Sequence, residues 1–381
     1  MSTQNLSITN VINVSVSTPP SGIADYQVNN LAIFTKEAPV NGAITAANPG
    51  LYRSPSAVLA DWGANSEVYA QAIAIFSQSP TILDGGGQLL VFPMQVGDTL
   101  AGVIPTAQKT QFFHGALACG YDPNDAEYEA ASAACESIRV LLFVSSPLTA
   151  SLNGGGLFAV LGATSANHTR MFLYTQGALT KNARVAVAAY AARLMSVDFN
   201  GTNTTNTMHL KQLATIAADS GITQAILDSM TTLGVDGYPS IAGRASVWST
   251  GANGYSDDVY NLDWLVLALE VAGFNALATT STKLPQTENG IAVLRGAYIK
   301  VLQKAVSNQF LAPGEWNSPE TFGNPVDLIR NVNQRGYYIY SQPVSQQTQA
   351  DRLARKAPLI QIAGKEAGAV HSSSVVVFVN A

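Results

Sequence analysis

The chain has 381 residues, of which 47% are hydrophobic and only 12% charged, with a net charge of −5. That length supports a large core, as two domains or as one domain with an insertion. The acidic balance and the lack of any Lys/Arg cluster interleaved with aromatics argue against a nucleic-acid partner, and no apolar run approaches the ~20 residues of a membrane span.

Charge is unevenly spread. Residues 1–160 hold 4 basic and 11 acidic side chains, and residues 281–381 hold 10 and 6. A negative front and a positive rear suit head-to-tail packing of identical copies. The N-terminus shows no basic stretch followed by an apolar one, so no secretory leader is expected. Cys119 and Cys135 then read as reduced core residues of a protein made in a cytoplasm.

In chain order, the first element is a predicted strand. Ile8, Ile12, Val14 and Val16 stand mostly in alternation with polar Thr9, Asn13, Ser15 and Ser17, up to Pro19-Pro20. Leu31 to Phe34 reads as a short buried strand, followed by a Pro/Gly/Asn-rich loop from Pro39 to Pro55. Ser66 is an N-cap candidate for a helix carrying Tyr69, Ile73 and Phe76 and closed by Ser79-Pro80. Strands follow at Gln88–Pro93, Phe112–Leu117, Arg139–Val144 and Met171–Tyr174, with a helix from Asn124 to Ser137 behind Asp122-Pro123. Strands alternating with helices at this spacing imply a largely parallel, three-layer α/β unit.

Helices are expected next at Asn182–Ser196, Met208–Ala218 and Ile222–Leu233, then a hairpin over Tyr238–Tyr255 turning at Gly251-Ala252-Asn253-Gly254. Asp263 reads as the cap of a further helix, and Thr287 to Ser307 as a long one. A strand at Gly336–Tyr340 precedes a polar helix from Ser345 to Lys356, on which Arg352, Arg355 and Lys356 share one face at i, i+3 and i+4. Leu359, Ile362, Ala363, Ala367 and Val370 keep helical spacing around Lys365 and Glu366. That basic face is either a dock for an acidic surface or a solvated flank. The chain closes on a β-branched run, Ser373 to Asn380, with Val375, Val377 and Val379 on one side.

Sequence motifs give little catalytic signal. Gly85-Gly86-Gly87 and Gly154-Gly155-Gly156 lack the spacing of a dinucleotide or phosphate loop and read as turns. The four histidines, His114, His168, His209 and His371, are scattered, unlike metal ligands, and Asp257-Asp258 reads as a solvated turn pair. One enzyme alternative stays open, a site near His114 and Cys119 at a strand end. The two terminal strands lack an obvious nearby partner. They can pair internally or be lent to neighbouring copies as added sheet strands, and the second option makes the chain a subunit of a linked assembly.

Three stretches resemble the contractile tail sheath proteins of myovirus-type bacteriophages. They are Ser56–Gly63 with the Ser66–Pro80 helix, Asp257–Leu265 with Asn308–Gly314, and Gly336–Tyr340 through Gln349–Arg352, Arg355–Pro358 and the closing valine strand. The likeness spans nearly the whole chain. It implies a multi-layer α/β (mixed α+β) sheath-type fold with a parallel-rich αβα unit and exchanged N- and C-terminal strands.

Four regions follow from it: an N-terminal linking arm (1–22), an α/β region (23–235), a C-terminal sheath core (236–371) and a C-terminal linking strand (372–381). Ile8, Ile12, Val14, Val16, Val375, Val377 and Val379 would form the inter-subunit strands, and Arg352, Arg355, Lys356 and Lys365 would face the tube. The resemblance further implies a non-enzymatic polymer without cofactor or metal. Its partners would be itself, the tail tube protein, and baseplate and tail terminator proteins, with no nucleic acid and no direct membrane contact. The polymer would be assembled in a host cytoplasm into a virion tail whose contraction drives the tube through the host envelope for genome ejection. The sheath of a phage-tail-like bacteriocin or injection machine carries the same features.

Overall fold

The computed structural model describes residues 22–376 except 165 and 179. The first predicted strand (Ile8, Ile12, Val14, Val16) and the end of the last (Val377, Val379) lie outside the described residues.

A seven-stranded sheet organises the first two thirds of the chain. Its strands are β1 (Leu31–Thr35), β2 (Gly50–Tyr52), β3 (Leu89–Pro93), β4 (Gly115–Cys119), β5 (Leu141–Ser146), β6 (Thr169–Leu173) and β7 (Val235–Gly237). They lie in the order β2-β3-β1-β4-β5-β6-β7, with every pairing parallel except β2–β3. β1, β3, β4 and β6 are buried along their whole length, as expected of strands covered on both faces. Alternate side chains divide between two cores: Leu31 and Ile33 face one, Ala32 and Phe34 the other.

The first core is covered by α1 (Pro55–Trp62), α2 (Glu67–Phe76) and α6 (Thr180–Leu194). α6 is buried nearly all round, and its alanines at 183, 186, 188, 189, 191 and 192 let backbone approach backbone. The second core is covered by α3 (Leu100–Thr110), α4 (Asp125–Ile138), α5 (Leu157–Gly162) and α7 (Gln224–Leu233). A small hairpin, β8 (Ser240–Ile241) and β9 (Arg244–Ala245), follows, turning at Ala242-Gly243 rather than at Gly251–Gly254.

The last third adds α8 (Ser256–Ala278), α9 (Glu288–Ser307), α10 (Pro325–Arg335), α11 (Gln349–Leu353) and a two-stranded antiparallel sheet, β10 (Tyr337–Ser341) with β11 (Ile360–Gly364). α8 is long and apolar enough by length and composition to cross a membrane, contrary to the expectation from sequence. Tyr260, Trp264 and Leu265 instead pack into the first core, and Asp263 between them is buried.

Several expectations give way to tertiary context. Asp263 does not cap a helix: α8 begins seven residues earlier, where Asp257 and Asp258 supply the acidic first turn. Asn124, not Asp122, caps α4 by accepting from Glu127 N. Residues 208–218 form no helix. Leu210 and Thr215 have positive φ, and amides of the segment bond outward, Leu210 N to Val247 O and Ala214 N to Gln78 Oε1. The expected helix around Lys365 is the strand β11, whose β-branched Ile360 and Ile362 pair in register with β10.

Candidate assembly surface

The β10–β11 sheet is packed on both faces. Asn324 caps α10 by accepting from Val326 N and Asp327 N, with Pro325 at the first helical position. Gly336, at φ 81, ends the helix and turns the chain into β10. Side chains then alternate. Tyr337, Ile339 and Ile362 pack against the first core, while Tyr338 and Ala363 meet Leu328 and Val332 of α10 on the opposite face. Phe322 stacks on Tyr338 with ring centroids 5.7 Å apart.

Among the described residues no third strand joins this sheet. An open edge presents a row of unpaired N–H and C=O groups, a template for another chain. Along β10 runs a groove of about 340 Å³, with Arg295, Ile299 and Gln303 from α9 on one wall and Asn331 and Arg335 from α10 on the other.

Of the expected linking residues, Val375 is described: it is 79% exposed and belongs to no strand among the described residues. Arg352, Arg355 and Lys356 are exposed but do not share a helical face. Arg352 is the fourth residue of a five-residue helix, Arg355 lies beyond it at φ 55, and Lys356 Nζ sits 3.2 Å from Asp351 Oδ1. Lys365 is separate from them, half-buried at the end of β11, its N–H bonded to Gly336 O.

His114 and Cys119 are not brought together. His114 precedes β4 and Cys119 ends it, so five residues of strand hold them ~16 Å apart. His114 is fully buried with Nε2 3.0 Å from Asp263 Oδ2. Burial, with Glu67 and Glu37 nearby, pushes the Cys119 thiol well above its ordinary range.

Doubly wound sheets bind ligands beyond the carboxyl ends of the strands where their order reverses, here between β1 and β4. There the chain's own charged groups bond one another, beside a cleft of about 320 Å³ lined by Asp122, Ser146 and Arg184. Glu37 accepts from Glu67 N and Val68 N at the start of α2, at 2.9 and 3.1 Å. Arg184 of α6 then grips both oxygens of the buried Glu67 carboxylate, at 2.6 and 2.7 Å, and also bonds Asp122.

Residues 256–379 match the family described as E217 tail sheath protein gp31-like, C-terminal domain. The cryo-EM structure of the anti-feeding prophage (AFP) helical sheath in contracted state superposes with a TM-score of 0.62, at 14% identity, over 98% of this chain and 99% of that one. The chain has the fold of a contractile tail sheath protein. No curated protein matches it in sequence.

The tail sheath match begins at the first residue of α8 and contains α9, α10 and the whole β10–β11 sheet. Sequence reasoning missed α10 and the groove beside β10. Asn324-Pro325 and Gly336 were start and stop signals of the right kind for that helix. The groove had no sequence signal, because its facing walls come from separate helices, with Gln303 and Asn331 28 positions apart.

Proposed function

We propose that this chain is the repeating structural subunit of a contractile sheath that polymerises around an inner tail tube and shortens to drive that tube through a target envelope. The observation that carries the reading is the β10–β11 sheet, packed on both faces and joined by no third strand among the described residues, inside the region that matches a tail sheath domain. In this reading the arms at residues 1–22 and 372–381 supply edge strands to neighbouring copies. Subunits thus stay linked while their packing changes, and contraction draws its energy from alternative packings rather than from hydrolysis.

The chain acts without enzymatic chemistry. Supporting this, the charged groups where doubly wound enzymes hold ligands, Glu37, Glu67 and Arg184, are bonded to one another, and His114 and Cys119 lie at opposite ends of β4. The tube protein, baseplate and tail terminator are its partners besides itself. Arg352, Arg355, Lys356 and Lys365 lie toward the tube, and assembly takes place in the host cytoplasm. A virion tail and a phage-tail-like injection particle both use such a subunit, and the likeness to the AFP sheath supports the second as much as the first.

Val377→Pro tests strand lending, because proline removes a ladder donor. The unaltered chain is expected to form striated cylinders in negative stain, and the variant to remain a folded monomer. Cylinders of normal length from the variant overturn the proposed linkage.

A further inference from the structure

A cleft of about 600 Å³ opens between the 198–211 loop, the first turns of α8 and the chain leading out of β11. Asp257 and Asn261, 6% and 5% exposed, sit one helical turn apart on α8 and line its floor. The Oδ1 atoms of both, and that of Asn206 across the cleft, have no hydrogen-bond partner among the described residues. Asn206 donates its Nδ2 to Arg193 O, which leaves the oxygen as its free atom.

The cleft therefore gathers three buried acceptors and, among the described residues, no buried donor lacking a partner. Leaving such oxygens unsatisfied forfeits the hydrogen bonds they made to water. Asp84, Asp198 and Asp258 also line the cleft, so with Asp257 four carboxylates face only Arg193 and Lys211. Arg193 is already engaged with Ser196 Oγ at 3.2 Å. Burial first, and then Asp258, pushes the Asp257 carboxyl up to about 7, as expected where a buried carboxylate has no cation against it.

We propose that Asp257, Asn261 and Asn206 form a binding site for a divalent cation of the calcium type. Carboxylate and carboxamide oxygens are its usual ligands, at about 2.3–2.6 Å, and its coordination is flexible enough to accept a partly open site completed by water. No group of three or more His, Cys, Asp or Glu is placed to hold a metal among the described residues, so the carboxamides are essential to the set. That donor set suits hard cations and disfavours zinc.

The site is a property of the single chain and does not depend on the sheath reading. Its position gives it a consequence within that reading. Gly368 and Ala369 wall the cleft, and two residues on His371 Nε2 lies 2.8 Å from Thr207 Oγ1, so a bound cation stiffens the root of the C-terminal arm.

Terbium luminescence on the full chain tests the site, with Tyr260 and Trp264 on the same helix as sensitisers. Saturable enhancement is expected, displaced by calcium at about 10⁻⁴–10⁻³ M. Asp257→Asn or Asn261→Leu should weaken terbium binding at least about tenfold while the metal-free far-UV circular dichroism is unchanged. Should either variant fail to fold, melting of the unaltered chain decides: calcium raises its Tm where sodium at equal ionic strength does not. Non-saturating luminescence, full affinity in folded Asp257→Asn, or no calcium-specific rise in Tm overturns the proposal.

Discussion

His114 Nε2 lies 3.0 Å from Asp263 Oδ2, and this buried contact joins the entry to β4, at the centre of the parallel sheet, to the first helix of the region that matches a tail sheath domain. Asp263 also receives His168, whose Nε2 is 3.1 Å from the same oxygen and whose Nδ1 is 2.9 Å from Glu136. One carboxylate thus fastens α8 to β4 and to the turn before β6. The α/β body and the C-terminal unit share a core as well as this polar bolt, since Tyr260 and Trp264 enter the first core beside it.

Asp263→Ala removes the acceptor from two buried imidazoles. Breaking a buried ion pair by deleting one partner costs about 3–5 kcal/mol. Urea unfolding should show that loss in the transition that reports on α8, and a loss below about 1 kcal/mol would mean that the apolar contacts alone hold the two units together.

The same cluster makes stability depend on pH from both sides. Burial would raise the Asp263 carboxyl, but His114 and His168 hold it down at about 2. Its contribution is present above the ordinary carboxylate value and lost as pH falls from about 4 towards 2. Burial would lower His168, but Asp263 and Glu136 outweigh it and raise its pKa. That contribution is present below about 6.5 and lost as pH rises through the raised value. Melting temperature should therefore peak between about pH 4 and 6.5 and decline on the alkaline side, and His168→Gln should abolish the alkaline decline.

Arg184→Met should destabilise by about 3 kcal/mol or more, because it strands the buried Glu67 carboxylate. Adding Glu67→Leu should restore much of that loss, since an apolar pair of similar volume needs no desolvation. Denaturant melts of the single and double variants measure the difference. A double variant no more stable than the single one would show that the pair positions α2 and α6 in a way that packing cannot replace.

Gly336→Ala tests the turn that delivers β10. The residue has φ 81, and an added Cβ would lie 2.8 Å from the Ala312 carbonyl carbon. The left-handed backbone alone costs about 1–2 kcal/mol for a residue with a Cβ, and the contact adds to it. The variant should fold with a lowered Tm and polymerise poorly. Unchanged assembly would separate the β10–β11 sheet from the linkage.

The parallel unit was legible because its strands are fully buried and read as continuous apolar runs, as at Leu141–Val144, and because capping residues such as Ser66 mark helix starts. Local signal failed where long-range contacts decide. Residues 360–364 kept helical spacing on paper but pair with β10, and the amides of Leu210, Leu213 and Ala214 are claimed by Val247, Tyr238 and Gln78. Of the three stretches that carried the sheath likeness, those around Gly336–Tyr340 and Asp257–Leu265 lie inside the matched region, and Ser56–Pro80 lies outside it. The role of Asp263 was not readable, because its partners His114 and His168 lie 149 and 95 positions away.

Cryo-EM of the polymer formed by the unaltered chain tests the central claim most directly. The account predicts that the β10–β11 sheet gains strands from neighbouring copies, with one of them seated along β10 in the groove walled by Arg295 and Arg335. A polymer in which that sheet keeps two strands and its edges face solvent would contradict it.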